Sequence, residues 1–310
     1  MQHLKAIDDL HLEKCELTIG SFDGIHVGHQ AIIQQMKEVA DKNKDPIVVL
    51  TFYPHPSVVL RRRRPTLNIN TPDEKATQLA KLGVDYVITQ RFDLALSKIR
   101  AADFLDLISK QLHIRGLWAG GNFALGYQRE GNIHYLTKAS NARGFELHIV
   151  EPILDGGEIV SSTRVREALR AGDVSRVARY LGRNFVIPGK VVKGVGRGKE
   201  LGIPTANLEI WDERAYPGVG VYACMAKVQG KDFSAVTNIG VRPTFNDDQS
   251  EPIIEAHLLD FEGDIYGEEI TLSFVERLRD EKRFSGVDEL LLEIERDILR
   301  TKRILVRSNS

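Results

Sequence analysis

The chain has 310 residues, enough for about two ordinary domains that each bury a core. Its 42 lysines and arginines nearly cancel 43 aspartates and glutamates, leaving a net charge of −1 and no global field to draw in nucleic acid or an anionic membrane. Cys15 and Cys224 stand far apart with no CxxC spacing, which argues against a disulfide framework or a cysteine-based metal centre and fits reduced thiols in a cytoplasmic protein.

In chain order, the opening segment MQHLKAIDDLHLEK is polar where a leader would be basic and then apolar, and no run of 18 apolar residues follows. The expectation is a soluble, unsecreted chain with no nucleic acid, membrane or obligate protein partner. From Glu16 to about Gly182, short apolar runs (CELTIG, IVVLTF, DYVIT, GLWAG, ELHIV) alternate with amphipathic stretches, the pattern of a parallel sheet wrapped by helices. Ile32, Ile33, Met36, Val39 and Ala40 recur on one helical face. Thr71, Pro72 and Glu74 supply an N-cap, a first-turn proline and a capping-box partner, and Gly83 ends that helix. One amphipathic helix is expected from about Ser162 to Leu181, and GRNFVIPG (182–189) has the composition of a linker. The domains are therefore drawn as 1–183 and 184–310. Beyond the boundary, segments such as EITLSFVE, with Ile270, Leu272 and Phe274 on one face, indicate a small antiparallel β-domain. A terminal helix follows, with Ser285 as cap, Asp288 at its third position, and Leu291, Ile294, Ile298 and Leu305 along one side. Arg61 to Arg64 read as a solvated loop, with a phosphate-steering role as the alternative.

Two polar constellations mark the first domain. After the first strand, Gly20-Ser21-Phe22-Asp23-Gly24-Ile25-His26-Val27-Gly28-His29 runs straight into a helix. A helix start offers unpaired N–H groups and the positive dipole end, and Gly20, Gly24 and Gly28 let a phosphate approach the main chain. His26 and His29, three apart, share a face and can both donate to that phosphate. Later, Ser161-Ser162-Thr163-Arg164-Val165-Arg166 again opens a helix, pairing hydroxyls with arginines that can neutralise phosphate. In the second domain, GVGRGKELGIPTANL (194–208) is glycine-rich, yet Glu200 breaks a Walker A loop and Lys199 breaks a GxGxxG fingerprint.

GSFDGIHVGH with SSTRVR resembles the HxGH and ISSTxxR signatures of the nucleotidyltransferase superfamily. Within it, TFYPHP (51–56) and GGNFALGYQREGN (120–132) resemble the adenylyltransferase module of bacterial bifunctional riboflavin kinase/FAD synthetases. The segment GVGRGKELGIPTANL, followed by VTNIGVRPTF, IEAHLLDF, DIYGEEI and LRDEKRF, resembles the riboflavin kinase module over nearly the whole second domain. The resemblance implies an α/β fold with an N-terminal doubly wound parallel sheet, then an antiparallel β-barrel with a terminal helix. It also implies riboflavin, FMN, FAD and ATP as substrates and products, with Mg²⁺ bridging ATP phosphates.

By the same resemblance, His26 and His29 stabilise the ATP phosphates, with Gly20, Phe22, Gly24 and Gly28 forming their loop. Ser162, Thr163 and Arg166 hold the β and γ groups, and Asn122 orients substrate. In the kinase module, Gly194 and Lys199 are assigned to ATP and Tyr266 lies near the nucleotide. Arg279, Lys282 and Phe284 form a flap over the flavin, although the two cations read equally as surface charges. Thr205 and Asn207 alternate on one side of an extended segment, so their oxygens can converge on one Mg²⁺. Glu255 alternates with Ile254, Ala256 and Leu258 in a strand-like segment and is the expected general base, because a ribityl hydroxyl stays protonated at neutral pH. The FMN phosphate, with a second pKa of about 6, needs no such base. Rival readings are a class I aminoacyl-tRNA synthetase-like enzyme, for which no KMSKS-like loop is visible, a flavin sensor without turnover, and a chain with only one live activity. Incubation with riboflavin, ATP and Mg²⁺ separates them.

Overall fold

Residues 1–61, 67–194, 201–242 and 251–308 are described by a computed structural model, in which the chain divides into two units, Met1–Ser162 and Thr163–Ser310. In chain order the first unit contains β1 (Gln2–Leu4), β2 (Leu12–Ile19), α1 (Val27–Asn43), β3 (Ile47–Tyr53), α2 (Pro56–Arg61) and α3 (Pro72–Lys81). There follow β4 (Tyr86–Arg91), α4 (Ala101–Ser109), β5 (Leu112–Gly120), β6 (Ala124–Leu125), β7 (Gly131–Asn132) and α5 (Ile133–Arg143). The unit ends with β8 (Glu146–Val150), β9 (Leu154–Asp155) and β10 (Glu158–Ile159). Six parallel strands pair in the order β1-β4-β3-β2-β5-β8. The chain thus winds outward from β2 in both directions, and the order reverses between β2 and β5, where open α/β sheets form a crevice at their carboxyl ends.

Strand alternation sorts side chains to the two faces of this sheet. Val48 and Leu50 of β3 join Leu17, Leu117, Phe104, Ile108 and Leu136 on one face, under α4 and α5. Ile47 and Val49 join Ile33, Met36, Leu79 and Trp118 on the other, under α1 and α3. The five expected strands and the expected α1 face are all present, with Ile32 and Val39 partly buried at its margin. The Thr71 cap also forms as expected: Glu74 N–H donates to Thr71 Oγ1 at 3.1 Å and Thr71 N–H to Glu74 Oε2 at 3.0 Å. The edge strand β1 was not expected, and no apolar pattern announces its three residues.

The second unit comprises α6 (Ser162–Arg170, entered through the last residue of the first unit), α7 (Val174–Leu181), β11 (Phe185–Val192), β12 (Ala206–Glu209) and β13 (Gly220–Val228). It continues through β14 (Lys231–Arg242), β15 (Glu251–Leu258), β16 (Glu269–Arg279) and α8 (Val287–Ser308). The single helix expected over 162–181 is two helices. Gly172 breaks it with φ +71°, and a Cβ there would meet the Tyr222 hydroxyl at 2.6 Å. Asp173 then caps α7 through Arg176 N–H at 2.9 Å.

The expected linker is corrected as well. Phe185 to Gly189 belong to β11, where Phe185 and Ile187 are buried at alternate positions, and Pro188 sits opposite Thr271. The barrel closes in the order β11-β12-β15-β14-β13-β16, all antiparallel. Val221, Ala223 and Val236 face outward under Ile298 and Ile304 of α8, so the opposite parity, including Cys224, Ile239, Ile254, Ala256 and Phe274, fills the interior. Helix α8 begins one residue later than expected. The partner of Ser285 is Glu289, not Asp288: its Oε2 accepts from Ser285 N–H at 3.0 Å and Oγ at 2.8 Å. Among the described residues no helix is long and apolar enough to cross a membrane.

Candidate active sites

The loop from Gly20 to His26 leaves β2 beside the order reversal and is held rigidly. Phe22 and Ile25 adopt left-handed φ of +46° and +42°, conformations that cost a β-branched residue like Ile25 energy and persist only when the surroundings impose them. The imposing contacts are visible. Asp23 accepts from the backbone N–H groups of Ile69 at 3.0 Å and Asn70 at 3.3 Å. Lys75 Nζ donates to Ser21 O at 2.6 Å and Thr51 Oγ1 at 3.1 Å, and Thr51 Oγ1 donates to Ser21 O at 2.9 Å. Ser162 Oγ donates to Asp23 O at 2.8 Å. A side chain at Gly24 (φ +81°) would lie 2.9 Å from Ile69 Cδ1, and one at Gly28 would lie 3.1 Å from the His26 ring.

This scaffold presents two stacked imidazoles at the start of α1. The His26 and His29 ring centroids are 3.7 Å apart at 21°, and the Phe22 ring lies 4.8 Å from His29. Both Nδ1 atoms are buried and make no hydrogen bond among the described residues. Burial pulls the His26 pKa down to about 4, against a smaller opposing pull from Asp23. The His29 pKa is pushed well below the usual value by burial, and further by His26 and Lys75. The first turn of α1 has no side-chain cap and no acid, so its N–H groups and positive dipole end stay open to an anion. Asn122 is exposed in the turn after β5, at the same carboxyl edge as the Gly20 loop, and its carbonyl accepts from Arg129 at 2.8 Å. Gly126 (φ +75°) anchors that segment, since a Cβ there would lie 2.6 Å from Ala101 N. Thr163 is exposed in the first turn of α6 and Arg166 is buried one turn on, both in the second unit.

The barrel carries a cavity of about 460 Å³ on its outer face. Its lining includes Thr205, Asn238, Glu255, His257, Glu281 and Phe284, with Arg279 and Lys282 at its edge toward α8. Antiparallel pairing sets Glu255 directly between Asn207 on β12 and Asn238 on β14, so all three project to the same face. Glu255 is partly buried, and desolvation raises its pKa above the usual carboxylate value. His257 Nδ1 lies 2.8 Å from Pro204 O, fastening β15 to the segment that carries Thr205. Gly194 approaches so closely that a Cβ there would fall 2.2 Å from Asn207 Nδ2.

Arg279 is tied to α8 through Asp297 (Nη2 to Oδ2, 2.9 Å) and Lys282 through Glu293 (3.1 Å), while both cations lie over the Phe284 ring at 5.7 and 5.2 Å. Tyr266 is 55% exposed in the turn before β16 and does not line the cavity. Lys199, with most of its glycine-rich loop, and Arg62 to Arg64 lie outside the described residues, while Arg61, expected in a loop, is the last residue of α2. Sequence reasoning missed Asn238 and Lys75. Asn238 carries a readable signal, a polar residue alternating with the interior positions Thr237 and Ile239. Lys75 is read only as part of a helix until its ammonium is seen under the loop.

A parallel α/β sheet with an open, anion-ready helix start at its order reversal, followed by a closed barrel with a carboxylate set between two asparagines, defines a two-module phosphate-transferring enzyme. The chain matches the FAD synthetase family over residues 8–164 and the riboflavin kinase family over residues 181–305. It is 37% identical over 282 residues to the bifunctional riboflavin kinase/FMN adenylyltransferase of Listeria monocytogenes, covering 91% of this chain and 89% of that one. It is also 37% identical to the Escherichia coli K12 protein of the same name (93% and 91% covered) and 33% identical to that of Bacillus subtilis (92% and 90%). A crystal structure described as a macrolide-efflux protein from Streptococcus pneumoniae superposes with a TM-score of 0.90 at 31% identity, covering 97% of this chain and 98% of that one. The chain belongs to the bifunctional riboflavin kinase/FMN adenylyltransferase family.

Proposed function

We infer that the chain makes FMN from riboflavin and ATP at the barrel cavity, and FAD from FMN and a second ATP at the His26–His29 loop. The observation that carries this division is the placement of a raised-pKa carboxylate, Glu255, in one site and of two uncharged imidazoles in the other, where the neighbouring carboxylate, Asp23, is engaged by the Ile69 and Asn70 N–H groups. In the kinase step Glu255 takes the proton from the ribityl hydroxyl as its oxygen bonds to the γ-phosphorus and the bond to ADP breaks. The elevated pKa makes Glu255 a better proton acceptor than an ordinary surface acid. In the adenylylation step an oxygen of the FMN phosphate bonds to the α-phosphorus and pyrophosphate leaves. His26, His29 and the open N–H groups of α1 donate to the phosphates, while Ser162, Thr163 and Arg166 hold the departing β and γ groups, Arg166 supplying the positive charge. Asn122 orients the substrate. Arg279, Lys282 and Phe284 cover the flavin, and Gly194, Lys199 and Tyr266 serve the nucleotide of the kinase.

Thr205 and Asn207 offer hard oxygen donors beside Glu255, a donor set suited to Mg²⁺. When bound, Mg²⁺ would offset charge on the ATP phosphates. We propose the functional boundary between residues 183 and 184, supported by family matches that end at 164 and begin at 181. We also propose the cytoplasm as the site of action, since ATP is the co-substrate and both cysteines are buried thiols pushed up to about 12. Purified protein given riboflavin, ATP and Mg²⁺ should yield FMN and then FAD by chromatography. A fragment from residue 184 should yield FMN alone. Inactivity of that fragment beside an active one starting at Thr163 would move the boundary ahead of α6.

A further inference from the structure

Strand β15 carries a second polar side chain on the face of Glu255. Residues two apart on a strand project to the same side, so His257 shares the outer face of the barrel with Glu255, and both line the cavity of about 460 Å³. Pairing of β12 with β15 ends at Ala206 and Ala256, which leaves Thr205 one step beyond the last pair, level with His257, and Val236 of β14 pairs with His257 on its other side. The segment that delivers Thr205 is stiff. Gly202 turns with φ +74°, Pro204 has a fixed φ and no N–H, and its ring disfavours helical backbone at Ile203. Residues 203–205 therefore form a short arm between that turn and β12. The arm is fastened sideways by the Pro204 carbonyl, 2.8 Å from His257 Nδ1. A carbonyl can only accept, so Nδ1 carries the proton and Nε2 of the neutral ring does not.

We propose that His257 is a positioning residue for riboflavin phosphorylation: by donating from Nδ1 to the Pro204 carbonyl it holds the arm that carries Thr205 in register with Glu255. The inference rests on the reading of Thr205 as an oxygen donor to Mg²⁺ and of Glu255 as the base. In this role His257 touches neither substrate nor metal. Its contribution is that one rigid strand carries both the base, at position 255, and the tether of the metal-binding arm, at position 257, so the two parts of the site cannot drift apart. Hydrogen bonds of this kind, one step removed from a metal, orient the donors, and losing one costs about ten- to a hundredfold in metal affinity or activity.

In the full-length chain, His257→Ala should lower kcat for riboflavin phosphorylation about tenfold or more and raise the Mg²⁺ requirement by a similar factor, with the KM for riboflavin and FMN adenylylation near the parent values. His257→Asn should recover most of both losses, because its amide nitrogen hangs from the same carbon as Nδ1. His257→Gln should not, because its amide nitrogen lies where Nε2 does. Both variants fill much of the space of the ring, so their contrast stands even where alanine unfolds the barrel. Mn²⁺ binding in the presence of ADP, followed by electron paramagnetic resonance without turnover, should lose in Thr205→Val the same component that His257→Ala weakens. Nitrogen NMR of the parent at alkaline pH should find the His257 proton on Nδ1. A proton on Nε2, a His257→Ala chain with parent kcat and parent Mn²⁺ affinity, or recovery by glutamine equal to that by asparagine would each overturn the proposal alone. A Thr205→Val chain that keeps its Mn²⁺ component and its kinase activity would instead remove the reading of the metal site, and the proposal with it.

Discussion

The phosphate loop and the barrel cavity solve related problems with opposite electrostatics. Around His26 and His29, burial keeps both imidazoles uncharged, and the site relies on donors, glycines and an uncapped helix end. Around Glu255, burial acts on an acid and raises its affinity for a proton. One physical cause, desolvation, thus acts in opposite senses on the two sites, and in the proposed division of labour it leaves donors for a phosphate in one and a base for a hydroxyl in the other. The difference follows the nucleophile: a phosphate dianion attacks as it stands, and an alcohol must first lose its proton.

The sharpest way to break this comparison is Glu255→Gln, which should lower riboflavin phosphorylation by about two or more orders of magnitude and leave FMN adenylylation intact. Equal loss of both in a folded variant would remove Glu255 from its role. Next in size, His29→Ala or Arg166→Ala should cost adenylylation about 3 kcal/mol, roughly a hundredfold, so that the intact protein accumulates FMN. A folded His29→Ala chain that makes FAD at the parent rate would reduce the two histidines to a structural turn.

A third test concerns acid stability. Folded His26 binds its proton only near pH 4, against 6.5 for the unfolded residue, so between those values the unfolded chain holds more protons. Its contribution is therefore complete above pH 6.5 and is lost as pH falls toward 4. Between pH 7 and 5 the loss should be about 2 kcal/mol, read from urea unfolding of the N-terminal unit and flattened in His26→Gln. An unchanged slope in that variant would mean the ring is not buried uncharged. The smallest effect is expected for Gly194→Ala, whose methyl group must displace the Asn207 amide. Kinase activity should fall about tenfold, with a higher Mg²⁺ requirement, because metal oxygens tolerate little displacement, while adenylylation stays unchanged.

Much of this was legible in the residues. The five strands, the buried face of α1 and the Thr71–Glu74 cap all arise within a turn or a strand, where period and capping chemistry act directly. Glu255 was legible for the same reason, since alternation with Ile254 and Ala256 already points it out of the barrel. The expected 162–181 helix failed at Gly172 because the constraint is distant: Tyr222 and Arg277 close on that glycine from the barrel. Phe185 to Gly189 read as a linker because Gly182, Pro188 and Gly189 outweighed the alternation of Phe185 and Ile187, which shows its meaning only once β16 pairs alongside.

By itself, then, the sequence determined two modules of different class, the five central strands and the buried face of α1 in the first, and the helix that ends the second. Only the tertiary structure decided that Asn207 and Asn238 flank Glu255, that Lys75, Thr51 and Asp23 lock the phosphate loop, and that α7 is a helix of its own. Local patterns record preferences of a few consecutive residues. Contacts between Asn207 and Glu255, or Ser21 and Lys75, join positions about 50 apart, and they exist only after the core has repaid the entropy of closing those loops.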